Sequence, residues 1–391
     1  MLKGTNNVQA KLNNLWVVFE AARIHGPLSR TRISEVTGLS KQAASVLVDQ
    51  LLELGFVKEE KSKERRVGKP PKPVFLNDDG AFTIGLHVDY GRMSGVAMNL
   101  GGRILEREGA SLTEFAPDRV AEKLAGIAQR LLERVEMDRD RFYGIGLATP
   151  GPFGVAGISP PRLPGWDGVT LAEHLRTVAG VPVALANDGQ CAVSAEGRFG
   201  ETARTLGNFV YIYLGNGLGT GIMVDGAAFG GNNGNAGELG HTIAITDGHP
   251  CICGKRGCLE TYVSIDSLRR FLEERGQAIA DIGELDSLSA EMPAVSEWID
   301  IGAEPLRIGV NALENLFDPE TIMLGGDAPA WLIDAFIERT QPLYPSVSQV
   351  SRKIPRLMKA ELGADAVIRG AAILPVLSRL NPHYSDENMF A

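Results

Sequence analysis

Apolar residues recur at helical spacing near the start of the chain, where Leu15, Val18, Phe19 and Ala22 share one face of a predicted helix over 13–24 that stops at His25-Gly26-Pro27. Ser29 is placed to cap a second helix over 30–37, which Gly38 ends. Ser40 caps a third over 41–54, with Ala44, Leu47, Val48, Leu51 and Leu52 on its apolar side. A short strand comes next at 74–76. From residue 81 the period changes, and strands are predicted at 82–88, 94–99 and 103–107, then a helix at 120–135 and a buried strand at 144–148. Strands and helices then alternate through 183–186, 191–198, 208–214 and 219–224. A helix over 304–317, apolar at Leu306, Ile308, Val310, Leu313 and Leu316, leads into a strand at 321–324, and a closing helix is predicted over 362–377. The class is α/β, behind a helical head.

With 391 residues the chain exceeds one ordinary domain, and Asn77-Asp78-Asp79-Gly80 marks the expected boundary between a head at 1–80 and a body at 81–391. No run of 18 apolar residues and no signal-peptide pattern occurs, so the expectation is a cytoplasmic protein without a membrane partner. The net charge of −9 is uneven. Residues 1–80 hold 13 Lys and Arg against 9 Asp and Glu, a surplus of four positive charges, and the remainder carries −13. A basic head on an acidic body suits a front end that meets phosphate.

The Thr-Gly-Leu-Ser turn between the second and third helices is the spacing of a helix-turn-helix, whose second helix enters the major groove; Lys41, Gln42 and Ser45 fall on its expected outer face. Helices alone fit a packing subdomain equally well. The basic segment beyond the third helix favours DNA: Lys58, Lys61, Lys63, Arg65, Arg66, Lys69 and Lys72 crowd the chain before the strand at 74–76, as in a wing whose Arg65, Arg66 and Lys69 contact phosphate or the minor groove.

Three of the four cysteines, Cys251, Cys253 and Cys258, lie within eight residues, with His241 ten residues upstream and Gly254 and Gly257 between them. Zn²⁺ in a structural role takes a closed tetrahedron of thiolates and imidazoles, and one His with three Cys fills it. A disulfide or unlinked thiols are the competing readings, and a Cys-x-Cys pair is awkward to bridge. His249 competes with His241 for the fourth position. Glu238 and Glu260 flank the cluster as carboxylates that zinc does not need and that can accept hydrogen bonds from a polyhydroxylated ligand; taken alone they read equally as solvated surface residues.

Gly-Glu-Leu-Gly-His at 237–241 and Cys-Ile-Cys-Gly-Lys-Arg-Gly-Cys-Leu-Glu at 251–260 resemble the signature of the ROK family of sugar-responsive repressors and sugar kinases. The resemblance implies a two-lobed, actin-like ATPase body, zinc on His241, Cys251, Cys253 and Cys258, and sugar contacts from Glu238, His241 and Glu260. Asn187 and Asp188 match the family's Asn-Asp pair, whose Asp is the kinases' general base. Gly-Pro-Leu-Ser-Arg, Thr-Gly-Leu-Ser and Gly-Lys-Pro in the first 80 residues are similar to the repressor head, which the kinases usually lack. Three glycine turns, at 89–94, 215–221 and 325–326, are suited to phosphate. At the first, the kinases' Asp-x-Gly-Gly-Thr is replaced by a version with Arg92 and Met93, which argues against an enzyme. Arg162 and Gln190-Cys191 also depart from the family pattern and leave the ligand open. The resemblance implies a ligand-controlled repressor of carbohydrate-utilisation genes, binding operator DNA as a homodimer or homotetramer. A sugar kinase with a DNA-binding head, and a regulator answering to a protein partner, are the competing functions.

Overall fold

The computed structural model describes residues 7–60, 72–89, 91–155, 168–279, 282–347, 353–381 and 384. Helices α1 (Asn7–His25), α2 (Arg30–Thr37) and α3 (Lys41–Glu53) pack around Phe19, Ile33, Val48 and Phe56, all essentially without solvent exposure. The caps are those expected: Ser29 Oγ accepts from Arg32 N and Ser40 Oγ from Ala43 N, each at 3.2 Å, and Gly38 closes α2 at φ 71°. Strands β1 (Val57–Glu59) and β2 (Val74–Leu76) pair antiparallel, Val57 opposite Leu76. The basic residues Lys61, Lys63, Arg65, Arg66 and Lys69 lie outside the described residues. The turn at 77–80 is bonded on both sides, with Asn77 Nδ2 donating to Gly55 O at 2.8 Å and Asn99 Nδ2 to Asp79 Oδ1 at 2.7 Å.

The body repeats one topology. β3 (Phe82–Asp89), β4 (Arg92–Asn99) and β5 (Ile104–Ser111) form an antiparallel meander. Helix α4 (Pro117–Arg134) covers it, and β6 (Phe142–Ala148) returns parallel to β3. Helix α5 (Gly168–Ala179) leads to β7 (Val183–Ala186), giving the order β5-β4-β3-β6-β7. After α6 (Asp188–Phe199), the strands β8 (Phe209–Leu214), β9 (Leu218–Val224) and β10 (Ala227–Ala228) make a second meander. Helices α7 (Ile265–Glu273) and α8 (Pro293–Phe317), strand β11 (Thr321–Gly325), helix α9 (Ala330–Arg339) and strand β12 (Leu357–Lys359) complete the order β10-β9-β8-β11-β12, with β11 parallel to both neighbours.

Helix α10 (Ala366–Leu380) and α6 form a shared layer between the two sheets. Side chains are excluded where backbones meet: a Cβ on Gly146 of β6 would lie 1.7 Å from Ala371 O on α10, and one on Gly221 of β9 would lie 2.0 Å from Gly189 O on α6. Leu15, Trp16 and Phe19 of α1 belong to the same core as Leu377 and Tyr384, so the head is continuous with this layer.

Several elements differ from the periodicity reading. The helix expected from 304 begins at Pro293, because Val295, Trp298 and Ile299 extend its buried face through Pro305, a residue that normally stops a helix by removing a donor. Likewise α1 starts at Asn7, in a polar stretch without an apolar rhythm, β5 runs on to Ser111, and α5, α7 and α9 have no counterpart among the expected elements.

Candidate ligand cleft and metal centre

The carboxyl ends of β3, β6 and β7 and the β8–β9 turn face one another across a cleft, the place where open α/β sheets bind ligands. Asn187, Asp188, Glu238, His241 and Glu260 all line it, together with Asp89, Tyr213, Asn216 and Thr220. The local reasons are separable. Asn187 is the N-cap of α6, its Oδ1 accepting from Gln190 N at 2.8 Å, which leaves Asp188 in the first turn. Gln190 Nε2 donates to Gly234 O at 2.9 Å, and Cys191 is fully buried, so both departures from the family pattern serve packing. Glu260 Oε2 accepts from Leu218 N at 3.0 Å and thereby fixes the β8–β9 turn. Burial and the nearby Glu260 carboxylate push Glu238 up to about 7, against a smaller opposing pull from Lys255.

His87 is a cleft residue that the sequence does not announce. It stands in the apolar run of β3, 4% exposed, with Nε2 3.2 Å from Asp188 Oδ1. Burial lowers its proton affinity, but Asp188, Asp327 and Asp89 outweigh it and raise the imidazole to about 9, so it is a cation at neutral pH. Burial in turn raises Asp327, whose carboxylate accepts from the Tyr213 hydroxyl. Asp89 Oδ2 accepts from Asn216 Nδ2 at 3.0 Å, joining the two sheets across the cleft. The three glycine turns therefore do converge. A lone His within a strand of apolar residues is the one available signal, and it reads equally well as core.

The expectation for Arg92 and Met93 is corrected in part. Asp89 pairs with Arg92 in register, and Met93 points into the core under α4, so its side chain does not occupy the turn. Arg92 is half-exposed beside the first glycine turn, with Nη2 3.6 Å from Asp327 Oδ2. Arg162 lies outside the described residues.

His241, Cys251, Cys253 and Cys258 bring their ligand atoms within 4.8 Å of one another. Cys251 Sγ is 3.5 Å from His241 Nδ1 and Cys253 Sγ is 3.6 Å from Cys258 Sγ, close to the roughly 3.7 Å edge of a tetrahedron with 2.3 Å bonds. The donor set fits a metal of that coordination. Gly254 and Gly257 hold the knuckle at φ 84° and 79°, and a Cβ on Gly257 would lie 1.6 Å from Ile245 O. His249 is outside the cluster, packed against Tyr262 with ring centroids 4.9 Å apart and the planes tilted by 43°.

In the head, Lys41 and Gln42 are exposed on α3 as expected. Ser45 Oγ accepts from Arg30 Nη1 at 2.8 Å and keeps its own O–H as a donor, and Arg30 also pairs with Asp49 at 2.7 Å and Glu59 at 2.8 Å. By sequence Arg30 is the start of α2 and the last residue of the Gly-Pro-Leu-Ser-Arg motif, with nothing to announce these partners. Among the described residues, no helix is long and apolar enough to cross a membrane.

A family model described as ROK family matches residues 84–376. A xylose repressor of Bacillus spizizenii is 25% identical over 360 residues, covering 90% of this chain and 92% of that protein. A ROK family transcriptional regulator, described as a homologue of the E. coli Mlc protein, superposes with a TM-score of 0.74 over 95% of this chain and 97% of its own, at 24% identity. A ROK hexokinase from Thermus thermophilus is 30% identical with a TM-score of 0.60; it is covered over 97% of its length yet accounts for 75% of this chain.

Proposed function

The chain belongs to the ROK family, and on that premise we propose that it is a sugar-responsive transcriptional repressor in which a winged helix-turn-helix head binds operator DNA and the body's cleft binds the effector. One observation carries the reading: relatives named as repressors match head and body together, whereas the hexokinase leaves a quarter of the chain unmatched.

In this reading Asn187, Asp188, Glu238, His241 and Glu260 hydrogen-bond sugar hydroxyls, and charge-assisted acceptors such as Asp188 and Glu260 supply the stronger bonds. Zn²⁺ on His241, Cys251, Cys253 and Cys258, when bound, would cross-link the loop that bears Glu238 and Glu260. The ligand controls DNA binding only as far as it binds two arrangements of the protein unequally. Lys41 and Gln42 read bases, Arg65, Arg66 and Lys69 contact phosphate, and a homodimer or homotetramer presents paired heads to a two-fold operator.

A kinase is the second reading, favoured by the retention of Asp188 beside three converging glycine turns. Against it, His87 already holds the Asp188 carboxylate as an ion pair, and Arg92 stands at the first turn. Thermal stability against D-xylose, D-glucose, amino sugars, sugar phosphates and Mg-ATP separates the two, since a ligand that binds only the folded state raises its melting temperature. A shift with one sugar and none with ATP is expected. ATP turnover with any sugar, abolished by Asp188→Asn, would overturn the repressor-only reading.

A further inference from the structure

Helix α6 has its first turn in the cleft and its last turn in the head. Asn187 and Asp188 open it; ten residues on, about 15 Å at 1.5 Å per residue, it ends at Arg198 and Phe199. The Arg198 guanidinium sits 5.2 Å from the centroid of the Trp16 ring and 5.4 Å from that of Phe19, and its Nη1 is 3.0 Å from Glu20 Oε1. Arg23 closes the group from the same helix. Its Nη2 donates to Glu20 Oε2 at 2.6 Å and its Nη1 to the Arg198 carbonyl at 3.2 Å. Four residues of α1 thus hold the final turn of α6.

This grip is electrostatically exacting. The Arg198 side chain is 7% exposed, and burial lowers it to about 10 despite the Glu20 carboxylate. Burial also acts to raise Glu20, but Arg198 and Arg23 outweigh it and leave the acid below its ordinary value. Separating the two helices leaves Glu20 with Arg23 but strands the buried Arg198 cation, so the two helix ends move together or that pair breaks.

The helix between them has no slack. Gly189 lies against the backbone of Thr220 and Gly221, and Gly370 of α10 lies against that of Cys191, with no room for even a methyl group at either contact. Close-packed interfaces shift between discrete arrangements and do not deform continuously. Beside the junction lies a half-open cavity of about 380 Å³, bordered by Trp16, Glu20, Arg23, Arg198, Met223 and Tyr384.

We propose that Arg198 is the positioning residue that couples the cleft to the head, with α6 as the rigid rod between Asp188 and the Trp16–Phe19–Glu20 socket of α1. The inference rests on the cleft being the effector site. A sugar that draws Asp188 away from His87 displaces the first turn of α6, and Arg198 carries the displacement to the head.

Hydrogen exchange on the full-length chain tests this without a known effector. Amides of residues 7–25 are followed in wild type, Asp188→Asn, Arg198→Lys and the double variant, with melting temperature and metal content as controls for folding. Asp188→Asn weakens the tie to His87 and should speed exchange in α1 by at least about threefold when Arg198 is present, and have almost no effect in the Arg198→Lys background. An equal response in both backgrounds, or none in either, overturns the coupling. Glu20→Gln repeats the cycle from the other side should Arg198→Lys fail to melt cooperatively. The effector reading fails separately, if no sugar in the panel shifts the wild-type melting temperature.

Discussion

Glu196 lies on the same helix, with no solvent exposure, and its substitution by Gln gives a signed, pH-dependent outcome. Oε1 accepts from Leu362 N at 2.8 Å, Oε2 is buried without a hydrogen-bond partner, and the Glu361 carboxylate and the Tyr211 hydroxyl face it. Burial, aided by Glu361 and opposed by the backbone bonds, raises the acid from 4.5 to about 7. Below pH 4.5 the folded and unfolded chains both hold the proton. Between 4.5 and 7 only the folded chain does, so this group lowers stability by about 1.4 kcal/mol per unit of rising pH, and above 7 the loss stays constant at about 3 kcal/mol. Glu196→Gln keeps an acceptor for Leu362 N and carries no charge. Its melting temperature should match wild type at pH 4.5 and exceed it by roughly 4 °C at pH 8, given an unfolding entropy near 2 cal/mol/K per residue. Differential scanning calorimetry of both proteins from pH 4.5 to 8.5 reads this as a difference curve, in which every other titrating group cancels. A flat difference, or a variant less stable at pH 8 than wild type, would refute the account of a buried acid whose ionisation costs stability.

Three further outcomes are expected. Cys258→Ser should lose bound metal by elemental analysis and lower the melting temperature, because a structural metal contributes its binding free energy to folding; a fully stable, metal-free variant would remove that role. Glu260→Ala should weaken sugar binding at least tenfold by calorimetry and leave DNA affinity unchanged, and it also frees Leu218 N, so unchanged sugar affinity would place Glu260 outside the site. Lys41→Ala and Gln42→Ala should alter operator preference in a binding selection, whereas Arg65→Ala should weaken all sequences alike and flatten the salt dependence.

What is legible in the sequence is local. Ser29, Gly38 and Ser40 signal helix ends by their own backbone and side-chain chemistry, and each does so in the fold. The His241–Cys258 cluster is readable because its ligands lie within eighteen residues. His87 and Asp188 cannot be paired in advance, because a hundred residues separate them and only the parallel register of β3, β6 and β7 brings them together. The Ser45–Arg30 hydrogen bond escapes the sequence for a similar reason: Arg30 belongs to another helix, and an outer-face position on α3 says nothing of a guanidinium arriving from α2. Pro305 shows the reverse failure, a sound local rule overridden by the burial of Val295, Trp298 and Ile299 before it and of Leu306 and Val310 after it.

The layer of α6 and α10 has a thermodynamic consequence for the body as a whole. Each sheet buries one face on a helix that is itself in backbone contact with the other: Gly146 meets α10, Gly221 meets α6, and Gly370 meets Cys191. When one half melts, the other sheet keeps its outer helices, α4 and α5 or α7 to α9, but its inner helix loses its partner. The two halves of residues 81–381 are therefore one cooperative unit, expected to give a single endotherm whose calorimetric and van't Hoff enthalpies agree.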